Sequence, residues 1–292
     1  MKKQYLIAGH GVVLTAPDTW FQDRRLDNYR PFETDSPVPP VLSLEVVEDL
    51  GPQEGFREVF TSEDAGFPAF HILRNDAGGW RFLVSPLPEE PVCSEIDATM
   101  DFSSARILLK DPSQVRFALD NALMVLYALR TAPLGTLEMH ASVVMHGGKG
   151  YLFLGRSGTG KSTHSRLWRE NIPEVELLND DNPLLRVLPD GTVRVYGSPW
   201  SGKTPCYKAK DVPVGAIVRI EQAPYNRITR LPLIQAYASI YPSCSAFRPV
   251  KAVADGLHES LTHIAASTPC YRLECLPDAE AALLCHKTVC DG

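Results

Sequence analysis

The chain has 292 residues, 44% of them hydrophobic and 22% charged, the balance of a soluble globular protein with one large core or two modest ones. Its formal net charge of −6 gives no general pull toward nucleic acid or an anionic membrane surface. Its seven cysteines contain no C-x-x-C pair, and no apolar run nears the roughly 18 residues of a membrane span, so a zinc ribbon, a C-x-x-C redox motif and a hydropathic span are all excluded.

The first residues carry two lysines and an apolar run, but Gly9, His10 and Gly11 interrupt it and no small-x-small cleavage site follows. This predicts a first strand pair rather than a signal peptide, and a cytoplasmic protein with reduced thiols. Residues 1 to about 105 read as a β-rich N-terminal part. Short apolar runs (Tyr5–Ile7, Val12–Leu14, Val41–Val47, Phe70–Leu73, Trp80–Val84) alternate there with turn signals. Asp111 and Pro112 are an N-cap and first-turn proline, and Val115, Leu119, Leu123 and Leu126 recur at helical spacing up to about Arg130. Two strand-like runs follow, Leu137–Met145 and Tyr151–Leu154, and then a helix from Lys161 to about Glu170. Beyond them, strands are predicted at Val175–Leu178, Leu184–Val187, Val193–Tyr196, Val214–Ile220 and Tyr271–Cys275, and helices at Leu233–Ile240, Ala252–Ala266 and Asp278–Lys287. The order describes an α/β nucleotide-binding core over 106–292 preceded by a β-rich domain over 1–105.

The chemistry concentrates after Leu154. Gly155-Arg156-Ser157-Gly158-Thr159-Gly160-Lys161-Ser162, with Thr163 following, matches G-x-x-x-x-G-K-S/T, the phosphate-binding loop pattern, in the strand–loop–helix setting it requires. Glycines let backbone N–H groups approach phosphate oxygens, the helix N-terminus adds partial positive charge, Lys161 reaches the β- and γ-phosphates, and the Ser162 hydroxyl ligates Mg²⁺. The expected ligands are therefore ATP and Mg²⁺. The metal also needs a carboxylate, and the apolar run Leu177-Leu178 ends in Asn179-Asp180-Asp181. One aspartate holds Mg²⁺ with Ser162 while the other accepts a proton from the incoming nucleophile; the spacing alone leaves open which does which. His140 lies on the preceding strand, where a lone histidine is more often structural than functional. Gly197-Ser198-Pro199-Trp200-Ser201-Gly202-Lys203 is a second anion-friendly loop, in which Gly197, Trp200, Ser201 and Lys203 are candidates for recognising the phosphate acceptor. Arg227 and Arg230 are candidates for stabilising transition-state charge.

His140, the loop beginning at Gly155 and the Leu177–Asp181 segment together resemble the catalytic core of bacterial HPr kinase/phosphorylase, which shares its nucleotide-binding fold with the phosphoenolpyruvate carboxykinases. The resemblance covers about residues 135–200, and more loosely Pro269–Asp278. It implies that Gly155–Ser162 bind ATP phosphates, that Asp180 and Asp181 serve metal and base, and that His140 orients the carboxylate beside it. Where that family carries an acidic residue before an Arg-Gly-Leu-Gly run, this chain has Val193–Tyr196 and then Gly197, so the implied acceptor is a hydroxyl other than that of HPr, on a protein, peptide or small metabolite. A nucleotide hydrolase or switch, and a non-catalytic ATP-binding regulator, are the alternatives.

Overall fold

The structure is a computed structural model and describes every residue except Gln53, Lys203, Ala246 and Gly292. The chain forms two compact units, Met1–Arg130 and Thr131–Gly292.

The first unit is built on an eight-stranded sheet. Its strands are Lys2–Ile7 (β1), His10–Thr15 (β2), Pro40–Val47 (β3), Phe56–Ser62 (β4), Ala69–Asn75 (β5), Trp80–Ser85 (β6), Ser94–Ala98 (β7) and Ser104–Leu109 (β8), in the order β1-β2-β3-β8-β7-β6-β5-β4. The connection between β2 and β3 contains the short helix Asp18–Gln22 (α1), and β3 pairs in parallel with both β2 and β8. The expected boundary near residue 105 would cut β8, an interior strand of this sheet. The helix after it, Val115–Thr131 (α2), also belongs here rather than with the second unit. Tyr127 Oη donates to the Ile7 carbonyl, and Asn28 and Tyr29 both donate to the Asp120 carboxylate. Its start is as expected: the Asp111 carboxylate accepts from the Ser113 N–H, and Pro112 occupies the first turn.

Among the described residues the second unit holds nine strands: Thr136–Glu138 (β9), Ala141–His146 (β10), Lys149–Leu154 (β11), Glu176–Asp181 (β12), Leu184–Val187 (β13), Val193–Tyr196 (β14), Asp211–Gln222 (β15), Arg227–Arg230 (β16) and Cys270–Cys275 (β17). The path is β12-β10-β11-β15-β14-β13-β9, with β17 also against β15 and β16 outside β17. The long strand β15 joins the two parts, because its first three residues pair with β14 and its last six with β17. Helices Lys161–Asn171 (α3) and Ala279–Asp291 (α6) cover one face, where Trp168, Phe153, Val218, Leu273 and Cys285 are all buried in one cluster. Helices Leu233–Ile240 (α4) and Lys251–Ser267 (α5) complete the unit, and α5 packs against β13 and β9. Among the described residues no helix is long and apolar enough to cross a membrane.

The run Leu137–Met145, expected as one strand, is two. The Met139 N–H donates to the Pro183 carbonyl and the His140 N–H to the Ser243 carbonyl, so the chain changes partners between β9 and β10. His140 sits at that break.

Candidate functional site

Strand β11 runs into the loop 155–160, and α3 opens at Lys161. Gly158 and Gly160 take φ values of 79° and 109°, which L side chains avoid, so these glycines let the loop turn under the helix N-terminus. The Thr159 hydroxyl donates to the Arg156 carbonyl at 2.6 Å and ties the turn together. Ser157 and Ser162 are exposed, and Thr163 is partly so. Lys161 is only 8% exposed; its Nζ donates to the Gly155 carbonyl at 3.0 Å and to His140 Nε2 at 2.8 Å. Burial holds its ammonium below the ordinary lysine range, the Asp181 and Asp180 carboxylates work the other way, and Arg219 adds to the lowering.

Strand β12 pairs with β10 so that Asp180 lies opposite Ser142 and Asp181 opposite Ala141, next to His140. Two successive strand residues normally face opposite ways. Here Asp181 adopts φ 121°, an unfavourable shape for a residue with a Cβ, and both carboxylates reach the site. Asp180 Oδ1 accepts from the Ser162 hydroxyl at 2.9 Å, and Asp181 Oδ1 lies 3.0 Å from His140 Nδ1. An ammonium can only donate, so His140 Nε2 is an acceptor and Nδ1 carries the proton that faces Asp181. Lys161, His140 and Asp181 thus stand in line, the lysine hydrogen-bonded to the imidazole and the imidazole within ion-pair distance of the carboxylate.

Arg219 and Glu138 also belong to this neighbourhood, and the sequence did not single them out. Arg219 stands on β15 directly beside Leu154, the last residue before the loop, and its guanidinium donates to the Ser239 carbonyl and hydroxyl and to the Ser243 hydroxyl. Because Ser243 also accepts from the His140 N–H, Arg219 braces the segment on which His140 leans. The available signal was a lone arginine inside the apolar run Ala216–Ile220. Arg227, by contrast, is committed to Glu274 at 2.6 Å on the outer pair β16–β17, and Arg230 lies on the same outer strand.

Glu138 is buried on β9 and bonded to the Ser245 hydroxyl. Burial pushes its carboxyl up to about 7, against the pull of that bond. His164 on α3 moves the other way, down to about 4 by burial, and its Nε2 accepts from the Trp168 indole at 3.1 Å. The raised acid contributes its full stability below its unfolded value of 4.5 and loses it as pH rises through about 7. The lowered base contributes fully above 6.5 and loses that as pH falls through about 4. The two slopes oppose one another between pH 4.5 and 6.5. Removing one should expose the other: Glu138→Gln is expected to lose about 2 kcal/mol more than the parent on going from pH 6.5 to 4.5. Guanidinium midpoints across that range check it, and parallel profiles for the two proteins would count against it.

The loop after β14 approaches the acidic pair, since Ser201 bridges to Asp181 and the Ser201 hydroxyl donates to the Asp180 carbonyl at 3.1 Å. Its other expected acceptor contacts have structural work instead. Gly197 packs so closely that a Cβ there would fall 2.1 Å from the Lys208 carbonyl oxygen. Trp200 is 3% exposed, so its ring presents almost no face to an incoming molecule. Asn179 Nδ2 and the Ser198 hydroxyl both donate to the Trp200 carbonyl at 2.9 Å, fixing that residue against β12. Lys203 lies outside the described residues.

Among the described residues no group of three His, Cys, Asp or Glu side chains is placed to hold a metal by itself. The Ser162 hydroxyl and the Asp180 carboxylate, already 2.9 Å apart, are two hard oxygen donors. That set fits Mg²⁺, which is commonly held by one or two protein oxygens with water and phosphate completing the shell.

No protein-family model matches the sequence, and no curated protein matches it. Among solved structures the chain is similar to the HPr(Ser) kinase/phosphatase from Coxiella burnetii, with 12% identity and a TM-score of 0.30 over 53% of this chain and 94% of that one.

Proposed function

We propose that the Thr131–Gly292 unit is a Mg-ATP-dependent phosphotransferase that moves the γ-phosphoryl group to a hydroxyl on a protein, peptide or small metabolite. The carrying observation is the meeting of Lys161, His140, Asp181 and the Ser162–Asp180 pair at the mouth of a glycine loop that opens a helix. In this reading the loop amides and the α3 N-terminus receive the phosphates, and Lys161 leaves the Gly155 carbonyl and His140 to meet the β- and γ-phosphates. Ser162 and Asp180 would hold Mg²⁺, which, when bound, neutralises phosphate charge. Asp181 accepts the acceptor's hydroxyl proton; the new O–P bond forms on that oxygen, and the β–γ bridging P–O bond breaks to leave ADP. His140 holds the Asp181 carboxylate in place through Nδ1–H. The split of roles is supported by the contacts: Asp180 already shares a proton with the metal-side hydroxyl, whereas Asp181 faces the histidine.

The discriminating measurement is ADP release with and without candidate hydroxyl acceptors. A phosphotransferase shows acceptor-dependent release, and steady release indifferent to every acceptor would indicate a hydrolase. Within that assay Asp180→Asn and Asp181→Asn should each slow transfer by more than tenfold, about 1.4 kcal/mol or more in the barrier. Raised Mg²⁺ should partly restore the Asp180→Asn variant and leave Asp181→Asn unchanged. Equal restoration of both would reject this division of labour.

A further inference from the structure

The phosphotransferase reading leaves Arg219 without a chemical task, although β15 places it level with Leu154, the residue that leads into the loop. Its Nε donates to the Ser239 carbonyl at 3.0 Å and to the Ser239 hydroxyl at 2.9 Å. Its Nη2 donates to the Ser239 carbonyl as well, and to the Ser243 hydroxyl at 3.5 Å. The Ser243 carbonyl in turn accepts from the His140 N–H at 2.6 Å, and His140 Nε2 accepts from Lys161 at 2.8 Å. Two residues therefore separate the guanidinium from the ammonium that is to meet the phosphates.

A structural role accounts for only part of this side chain. The last carbonyls of a helix lack intrahelical partners, and Arg219 caps that of Ser239 near the end of α4. Capping a carbonyl needs N–H groups but no charge, and Nε and Nη2 supply them. Nη1 carries two more N–H groups, and among the described residues it has no hydrogen-bond partner, nor does any carboxylate ion-pair with the guanidinium. The carboxylates of the site face elsewhere, Asp180 toward Ser162 and Asp181 toward His140. Burial holds the guanidinium below its ordinary range and Arg156 adds to this, with Glu221 pulling the other way, while Arg219 itself presses on Lys161. A half-buried cation kept among other cations is costly unless an anion completes the group.

We infer that Arg219 is a further catalytic residue, whose Nη1 donates to the γ-phosphoryl oxygens while Nε and Nη2 keep hold of Ser239 and Ser243. The inference rests on the phosphotransferase reading of the loop. The guanidinium neither gives nor takes a proton. It stays a cation while the bond to the β–γ bridging oxygen breaks, and shares with Lys161 the charge on the transferring group. Arginine suits the place better than lysine, because its rigid fork holds the serines with one edge and leaves the other for phosphate.

The test is calorimetric binding of Mg-ATP and Mg-ADP to the full chain, in the parent and in Arg219→Gln. Glutamine keeps an N–H donor for the Ser239 carbonyl and removes the charge. Mg-ATP is expected to bind at least about tenfold more weakly to the variant, the worth of a charge-assisted hydrogen bond, while Mg-ADP, which has no γ-phosphoryl group, stays within about twofold. Arg219→Met, which keeps the apolar stem, carries the same measurement if the glutamine variant does not fold. Ser239→Ala removes one acceptor of the brace and should leave the ratio of the two affinities within about twofold of the parent. Equal weakening of both nucleotides by the Arg219 variant, no weakening of either, or a Ser239→Ala variant that reproduces the loss of Mg-ATP alone overturns the inference and assigns Arg219 to structure. The loop reading survives each of these. Failure of the parent to bind either nucleotide overturns the loop reading itself, and this inference falls with it.

Discussion

Lys161→Met is expected to cut phosphoryl transfer by about 10²–10³-fold, the range seen when one preorganised donor to a developing anion is removed. Methionine keeps most of the unbranched stem and the helix preference of lysine, so α3 should still open at the same place. Only the ammonium is lost. In the structure that ammonium donates to the Gly155 carbonyl and to His140, the two partners it would leave to bind phosphate. Because Lys161 is largely buried and desolvated, removing its charge should cost the fold little, even as affinity for Mg-ATP falls. Transfer assays, calorimetry and thermal melting on the same preparation separate these outcomes. Unchanged Mg-ATP affinity with unchanged turnover would end the nucleotide assignment, whatever the melting temperature did.

What the sequence made legible was local. The strand–loop–helix around Gly155–Lys161 needs only a short apolar run, three glycines and a helix start, all adjacent in the chain. The acidic pair was visible because a strand's apolar run stops at it. How the pair reaches the loop was not visible, since it depends on a left-handed residue at Asp181 and on the register of β12 against β10. Arg219 and Glu138 escaped for a related reason. Each is a single charged residue in an otherwise strand-like run, and only the pairing of β15 with β11 and the position of Ser243–Ser245 bring them to the site. In the first unit β4 went unnoticed because it is an edge strand whose residues are mostly exposed, which leaves no apolar alternation to read. Strands β7 and β8 do alternate, but over only five and six residues, and their identity comes from pairing with each other and with β6 and β3. Trp200 shows the opposite error: a tryptophan among small residues looked available, but it is buried, and Asn179 and Ser198 hold its carbonyl.

Asp181 should show function and stability pulling in opposite directions. A non-glycine residue held at φ 121° stores roughly 1–3 kcal/mol, and such strain persists only where the surroundings enforce it. Here the enforcement comes from the bridge to Ser201, from Asn182 Nδ2, which donates to Oδ2 at 3.2 Å, and from the imidazole of His140. Asp181→Gly removes the Cβ that makes this backbone unfavourable, at an entropic cost of about 0.5–1 kcal/mol, and gives up the exposed pairing with His140. The balance favours the variant, so Asp181→Gly is expected to be as stable as the parent or up to about 1 kcal/mol more stable. Asp181→Asn keeps the Cβ and the strain, and should show no such gain. Both variants lack the carboxylate facing His140 and should transfer phosphate poorly, at least tenfold below the parent. The pair therefore separates backbone from chemistry: the two differ in denaturation midpoint and agree in lost activity. If Asp181→Gly instead unfolds more easily than Asp181→Asn by more than about 1 kcal/mol, then the polar contacts of the side chain, not relief of the backbone, dominate stability at this position.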